Sequence, residues 1–309
     1  MDGRCRPFDC IKDKIMIPNI KKVYFEITNV CNLSCSFCPG TKRPKGFVSV
    51  EDFRSVAKKL SGKVPYMYLH LMGEPTVHPK LSEILGIASE YGFKTIITTN
   101  GTTLNDKADV LLGAGKPYKI SISLHSFEAN SNVAPDMNEY LDSCFAFAAR
   151  AIKEEVICVF RLWNLDGAGT EGENSMNEDI LTRMRRFFGG EWSVTRSGMR
   201  ICDKLFLEYG EKFEWPEPGA DSESHDPSDF FCHGLRDQIG ILWDGTVVPC
   251  CLDSEGSIAL GNAFDSDIEA ILNSERAMEF YRSVSARKCP SSVCESCGYA
   301  ARFSKNKVV

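Results

Sequence analysis

The chain has 309 residues, too many for one small domain and enough for one large or two medium ones. Its formal charge of −6 lacks the cationic footprint of a nucleic-acid binder, and no apolar run is long enough to span a bilayer. Fourteen cysteines without a basic-then-apolar leader at Met1 argue against disulfides, so metal ligands or reactive thiols in a cytoplasmic protein are expected.

Residues 1–20 show no clear period and read as an irregular lead-in, in which Cys5 and Cys10 receive no role. A first strand, 23–28, delivers Cys31-Asn32-Leu33-Ser34-Cys35-Ser36-Phe37-Cys38, three thiols at C-x3-C-x2-C spacing on one tight loop. Clusters of the [4Fe–4S] type normally take four thiolates, so three leave one iron open to a ligand that is not protein. Structural zinc would need a fourth Cys or His nearby, and none is present. A zinc loop or three incidental cysteines is the plainer alternative. The motif, with aromatic Phe37 before its last cysteine, resembles the signature of the radical S-adenosylmethionine (SAM) superfamily. That resemblance implies a [4Fe–4S] cluster whose open iron is chelated by the amino and carboxylate groups of SAM.

Apolar residues at helical spacing over 50–60 follow a candidate N-cap, Ser49. A second strand, 65–71, ends in Gly73-Glu74-Pro75. The resemblance implies that this turn, a Gly-Gly-Glu-like motif with Met72 for the first glycine, meets the amino group of SAM. A helix over 80–90, a third strand over 93–99 ending at Asn100, and a helix over 106–112 come next. The fourth strand, 119–124, places Ser121 and Ser123 on one face. The resemblance implies ribose contacts for them, and packing near backbone carbonyls is the alternative. His125 is expected to be structural.

A helix over 138–152 leads to the fifth strand, 156–162, and a Gly-rich segment, 164–170, read as a mobile loop over the site. Asn100, Arg161 and Asn164 are candidates for SAM contacts. A helix over 177–188 and a sixth strand over 192–195 complete a strand–helix alternation that implies parallel βαβ units. The expected fold over residues 21–207 is α/β, a partial (β/α)6 barrel like the radical SAM core, with chemistry at the carboxyl ends of its strands.

Residues 208–229 are rich in Asp, Glu and Pro and read as an acidic linker, or as a rim attracting a cationic substrate. Beyond it, 230–309 form a small hairpin-and-helix domain, with a hairpin over 238–248 turning at Asp244-Gly245 and a helix over 268–281. The hairpin and helix allow Cys232, Cys250, Cys294 and Cys297 to converge. This pattern resembles the SPASM/Twitch extension and implies one auxiliary [4Fe–4S] cluster, with Cys289 as an alternative ligand and zinc as an alternative metal. Cys251 is left over, as a buried small hydrophobe or a catalytic hydrogen-atom donor.

The implied activity is reductive cleavage of SAM and hydrogen abstraction from a C–H bond. It ends in epimerisation through Cys251 or in two-electron oxidation through the auxiliary cluster. With the first strand starting near Val23, no room is expected for a domain that grips a leader peptide. A small polar substrate, of carbohydrate or aminocyclitol type, is therefore expected over a peptide or protein side chain. A one-electron donor such as flavodoxin or ferredoxin is the expected partner, with no nucleic acid and no membrane. A non-catalytic iron–sulfur or zinc protein is the alternative from another class.

Overall fold

In the computed structural model, which describes residues 20–130, 136–165, 174–217 and 230–303, the strand–helix alternation builds one open sheet. Strands β1 (Lys22–Phe25), β2 (Tyr66–Tyr68), β3 (Lys94–Thr99), β4 (Lys119–Ser123) and β5 (Ile157–Leu165) lie side by side and parallel, in chain order. Helices α1 (Val50–Leu60), α2 (Leu81–Glu90), α3 (Leu104–Leu111), α4 (His125–Glu128), α5 (Met137–Lys153) and α6 (Asn177–Phe188) make the connections. The helix α1 shows why they form. Ser49 Oγ accepts from the Asp52 amide at 2.9 Å, and Phe53, Val56, Ala57 and Leu60, at i, i+3, i+4 and i+7, are wholly buried. Its last turn is tied to the far end of the chain, where Lys59 Nζ donates to the Ala263 carbonyl at 2.7 Å.

The sixth parallel strand is not the one expected over 192–195. Residues Ser193–Thr195 (β6) and Gly198–Cys202 (β7) form an antiparallel hairpin at the sheet edge, and β8 (Leu205–Glu211) pairs parallel with β5. Glu208 and Glu211 therefore lie on a barrel strand and not in a linker, so the expected domain border at 207/208 falls inside β8. Residues 218–229, with Asp221, Glu223, Asp226 and Asp229 of the acidic stretch, lie outside the described residues. So do Cys5, Cys10 and the glycines of the loop after Asn164.

The hairpin β9 (Gln238–Ile241) and β10 (Thr246–Val248) is present, but β9 pairs parallel with β1 along its whole length. With the short β11 (Gly261–Asn262) the described residues form one eleven-stranded sheet, ordered β11-β10-β9-β1-β2-β3-β4-β5-β8-β7-β6. The C-terminal region is thus built onto the barrel and shares its core. The helix expected over 268–281 is broken into α7 (Ile268–Leu272) and α8 (Glu275–Ser285), because Ser274 Oγ caps a new start by accepting from Ala277. Two single-turn helices, α9 (Ser292–Glu295) and α10 (Gly298–Ala301), follow. Among the described residues no helix is long and apolar enough to cross a membrane.

Candidate active site

The loop after β1 carries Cys31, Cys35 and Cys38, all free and all with surface exposed. Its fold is held by backbone and amide groups that aim at sulfur. The Leu33 amide donates to Cys31 Sγ at 3.4 Å, Asn130 Nδ2 donates to Cys35 Sγ at 3.1 Å, and the Ser36 amide donates to the Ala129 carbonyl at 3.1 Å. Burial pushes the Cys31 thiol up to about 11, with smaller contributions from Glu74, Cys35 and Cys38, and burial likewise raises Cys35. Three thiols on one loop, two of them with N–H donors on their sulfurs, are a donor set whose chemistry fits a three-thiolate cluster with an open iron.

The Gly73-Glu74-Pro75 turn packs beneath this loop. Gly73 has φ +76°, and a Cβ there would lie 2.5 Å from the Thr28 carbonyl oxygen, so only glycine lets the turn approach the strand that delivers the cysteines. The Glu74 carboxylate points inward. It accepts from the Asn100 amide at 2.6 Å and from the amide and hydroxyl of Thr76 at 3.0 and 2.7 Å. Pro75 opens a buried single turn capped by Glu74. Asn100 in turn donates from Nδ2 to Asn32 Oδ1 at 2.9 Å, inside the cysteine motif. Glu74 and Asn100 thus position the loop, a role that strand-end spacing alone does not distinguish from ligand contact.

A cavity of about 930 Å3 extends from Phe37 of the cysteine loop, past Ser123 and Arg161, to the C-terminal thiols. Arg161 stacks its guanidinium 4.5 Å from the Trp163 ring, donates from Nη1 to Thr98 Oγ1 at 3.2 Å and lies 3.6 Å from the Glu208 carboxylate. Phe37 lies 5.0 Å from the ring of His125, whose Nδ1 is 3.1 Å from the Arg161 carbonyl. Burial lowers His125 to about 4, which favours the neutral imidazole, and the residue lines the cavity. Of the serine pair, Ser123 lines the cavity, whereas Ser121 is sealed below it with its hydroxyl unpartnered. Asn164 is buried and exchanges side-chain hydrogen bonds with Asn177 at 2.9 and 3.1 Å.

Cys232, Cys250, Cys294 and Cys297 line the same cavity. Cys250 lies within electrostatic reach of Cys232 and Cys294, and Cys294 within reach of Cys232, Cys289 and Cys297. Gly234 N donates to Cys232 Sγ at 3.3 Å and Ser291 Oγ to Cys294 Sγ at 3.3 Å, so here too donors reach the sulfurs. Among the described residues, those of the first loop included, no three ligating side chains stand close enough to hold a single metal ion. Cys289 borders the group, and its thiol donates to the Ser291 carbonyl at 3.3 Å.

Cys251 also lines the cavity, and burial pushes its thiol up to about 12. Tyr24 on β1, Tyr68 at the end of β2 and His70 just past it line the same cavity from the barrel side. His70 lines the cavity, and burial lowers it to about 3, so it is neutral. Sequence reading missed these three, because alternation shows that one face of a strand is distinct but not that it faces a cavity. It also missed Glu26 and Arg43. Arg43 Nη2 donates to both Glu26 oxygens at 2.7 and 2.8 Å, and its Nε donates to the Ser254 carbonyl at 2.7 Å. Glu26 also accepts from the Met72 and Trp243 amides, so one buried carboxylate joins the cysteine loop, the Gly73 turn and the C-terminal region.

The model of the radical SAM superfamily matches residues 25–171, and the SPASM model, an iron–sulfur cluster-binding domain, matches residues 232–298. The antilisterial bacteriocin subtilosin biosynthesis protein AlbA of Bacillus subtilis is 25% identical, over 92% of this chain and 68% of that protein. The chain spans between 26% and 41% of the length of the next curated relatives it matches. Among solved structures, BtrN in complex with AdoMet and 2-DOIA superposes with TM-score 0.56 at 16% identity, covering 90% of this chain and 92% of that one. Native anSMEcpe with bound AdoMet and Kp18Cys peptide gives TM-score 0.60 at 14% identity, covering 93% and 91%. These likenesses show a shared fold.

Proposed function

Because the chain belongs to the radical SAM superfamily and carries a SPASM iron–sulfur domain, we propose that it epimerises a carbon centre of a small polar substrate, with Cys251 as the hydrogen-atom donor. Cys31, Cys35 and Cys38 hold the SAM-binding [4Fe–4S] cluster in this reading, and Cys232, Cys250, Cys294 and Cys297 an auxiliary one. The first cluster, when reduced, supplies the electron that cleaves SAM to a 5′-deoxyadenosyl radical, which takes hydrogen from the substrate. In this reading Arg161 pairs with the SAM carboxylate, Ser123 bonds its ribose and Phe37 packs on its adenine.

The single observation carrying the choice is that Cys251 lines the cavity that Phe37, Ser123 and Arg161 also line. It follows β10, on the far side of β9, β1, β2 and β3 from Ser123 in the sheet order, so it meets a substrate from a different direction than SAM does. A volume of about 930 Å3 that must also admit SAM, walled by Lys22, His70, Arg161 and Gln238, suits a compact polar molecule. Oxidation through the auxiliary cluster is the second reading, since its four proposed ligands line the same cavity. A peptide substrate is favoured instead by the alignment with the subtilosin biosynthesis protein over 92% of this chain.

Turnover in deuterated water with a panel of carbohydrates, aminocyclitols and peptides separates these readings. The wild type is expected to return an epimer of a sugar or cyclitol bearing one solvent deuterium. Cys251→Ala is expected to cleave SAM while lowering epimer formation by at least about 100-fold, as loss of a proton- or atom-transfer group does. An oxidised product formed equally by both proteins would overturn the assignment.

A further inference from the structure

Beyond β8 the chain runs along the cavity before it reaches the C-terminal thiols. Glu211, Lys212, Phe213, Glu214, Trp215 and Pro216 all line that cavity. At its start this segment is tied to the barrel, where the Lys212 amide donates to the Leu165 carbonyl, at the end of β5, at 3.2 Å. At its far end it is tied to the motif Cys294-Glu295-Ser296-Cys297-Gly298. The Gly298 amide donates to the Glu214 carbonyl at 3.1 Å, and the Glu217 amide donates to Ser296 Oγ at 2.9 Å. The buried Ser296 hydroxyl in turn donates to the Glu217 carbonyl at 2.9 Å, sharing its hydrogen with the Val293 carbonyl at 3.2 Å. A Cβ at Gly298 would lie 2.7 Å from the Glu214 nitrogen, so this approach needs a residue without a side chain. Arg302 closes the contact. Its Nη2 donates to the Glu211 and Lys212 carbonyls, and its guanidinium lies 5.2 and 5.3 Å from the rings of Phe213 and Tyr299.

Resting on the reading of Cys232, Cys250, Cys294 and Cys297 as a cluster site, we propose that Ser296 and Gly298 carry the loading of these thiols to residues 212–217, and so set the cavity wall that Phe213 and Trp215 form. Ser296 and Gly298 are the chain neighbours of Cys297, each one peptide step of about 3.8 Å away, so neither keeps its place if that residue moves. The motif has little helix of its own to hold it. The single-turn helices α9 and α10 have four residues each, and isolated helices shorter than about 12 residues are marginal in water. Fixing the sulfurs of Cys294 and Cys297 therefore orders the motif, as metal binding couples to folding in small thiolate sites. The order passes to the segment through backbone bonds at Glu214 and Glu217, which bracket Trp215. Phe213 and Trp215, with ring centroids 5.4 Å apart, follow it as one piece of wall. The C-terminal thiols thus shape the substrate pocket by position, whether or not their cluster exchanges electrons.

Anaerobic hydrogen–deuterium exchange with mass spectrometry on the full chain tests this coupling without an identified substrate. Reconstitution of the wild type with iron and sulfide is expected to slow exchange over 212–217 and over 292–303 by at least about tenfold, the scale of one hydrogen bond. A variant combining Cys31→Ala, Cys35→Ala and Cys38→Ala is expected to show the same slowing, because the C-terminal thiols are intact. Ser296→Ala, which removes only a hydroxyl, is expected to keep its iron and its protection over 292–303 while losing the slowing over 212–217. Gly298→Ala is expected to lose it there too, by displacing Glu214. Equal exchange over 212–217 in apo and reconstituted wild type, slowing that vanishes in the triple variant, or full protection of that segment in both Ser296→Ala and Gly298→Ala would overturn the coupling alone. A triple variant that takes up no iron and sulfide would instead overturn the cluster reading on which the coupling rests. Matching melting curves of the variants exclude misfolding as the cause of lost protection.

Discussion

Cys35→Ala is expected to abolish SAM cleavage while leaving the fold intact. Cys35 sits at the middle of the three-thiol loop and receives the Asn130 amide at 3.1 Å, but its side chain is not part of the apolar core. Removing it leaves two thiolates, too few to hold a [4Fe–4S] cluster stably, so iron per chain should fall from about eight toward about four, the auxiliary cluster remaining. Changes to groups that merely support a ligand already lower activity by about 10–100-fold, so loss of the ligand is expected to exceed about 100-fold in the rate of 5′-deoxyadenosine formation. Iron and sulfide analysis with product quantification checks both halves. Retention of all the iron with active cleavage would mean that the loop is not the binding site.

Arg43→Ala is expected to be the most destabilising single change among those that touch no proposed ligand. Glu26 has a wholly buried side chain, and Arg43 spans both its oxygens from a site only 9% exposed. Truncating the arginine strands a buried carboxylate and should lower unfolding free energy by about 3–5 kcal/mol. Burial already raises the Glu26 carboxyl above the ordinary value, with the Arg43 guanidinium opposing it. Without that guanidinium the folded form prefers the protonated acid. The deficit should therefore be smallest below the ordinary carboxylate range and grow as pH rises through it toward the raised value. Adding Glu26→Gln removes the stranded charge and should recover most of the loss, in urea unfolding followed by circular dichroism. A single-variant loss under about 1 kcal/mol would show that the pair is an ordinary surface bridge. The pair also bears on chemistry, since Glu26 ties the cysteine loop to the Trp243 amide and Arg43 ties it to Ser254 of the C-terminal region.

How much of this was legible in the sequence follows from the range of each signal. The helix over 50–60 has its bounds as read, because a cap at Ser49 and a 3.6-residue period are both local. The barrel strands β1 to β5 were legible for the same reason. β8 was not, because Glu208, Gly210 and Glu211 lack the apolar alternation of a strand. Only Leu205 and Leu207 of it are fully buried, and Glu208 faces Arg161 inside the sheet. A carboxylate matched to an interior cation looks, in one dimension, like part of an acidic linker. The hairpin at Asp244-Gly245 was legible from its turn, but its pairing with β1 joins segments more than two hundred residues apart and leaves no local trace. The thiols named themselves by spacing. Their supports, Asn130, Glu26, Arg43 and the tyrosines that line the cavity with Cys251, are ordinary residues in ordinary contexts until the chain brings them together.

The most direct measurement is SAM cleavage by anaerobically reconstituted wild-type protein under dithionite. Formation of 5′-deoxyadenosine and methionine in equal amounts is the predicted result, and it should require all three of Cys31, Cys35 and Cys38. A protein that takes up iron and sulfide to the full expected content, yet leaves SAM uncleaved, would contradict the reading of this cavity as a radical SAM active site.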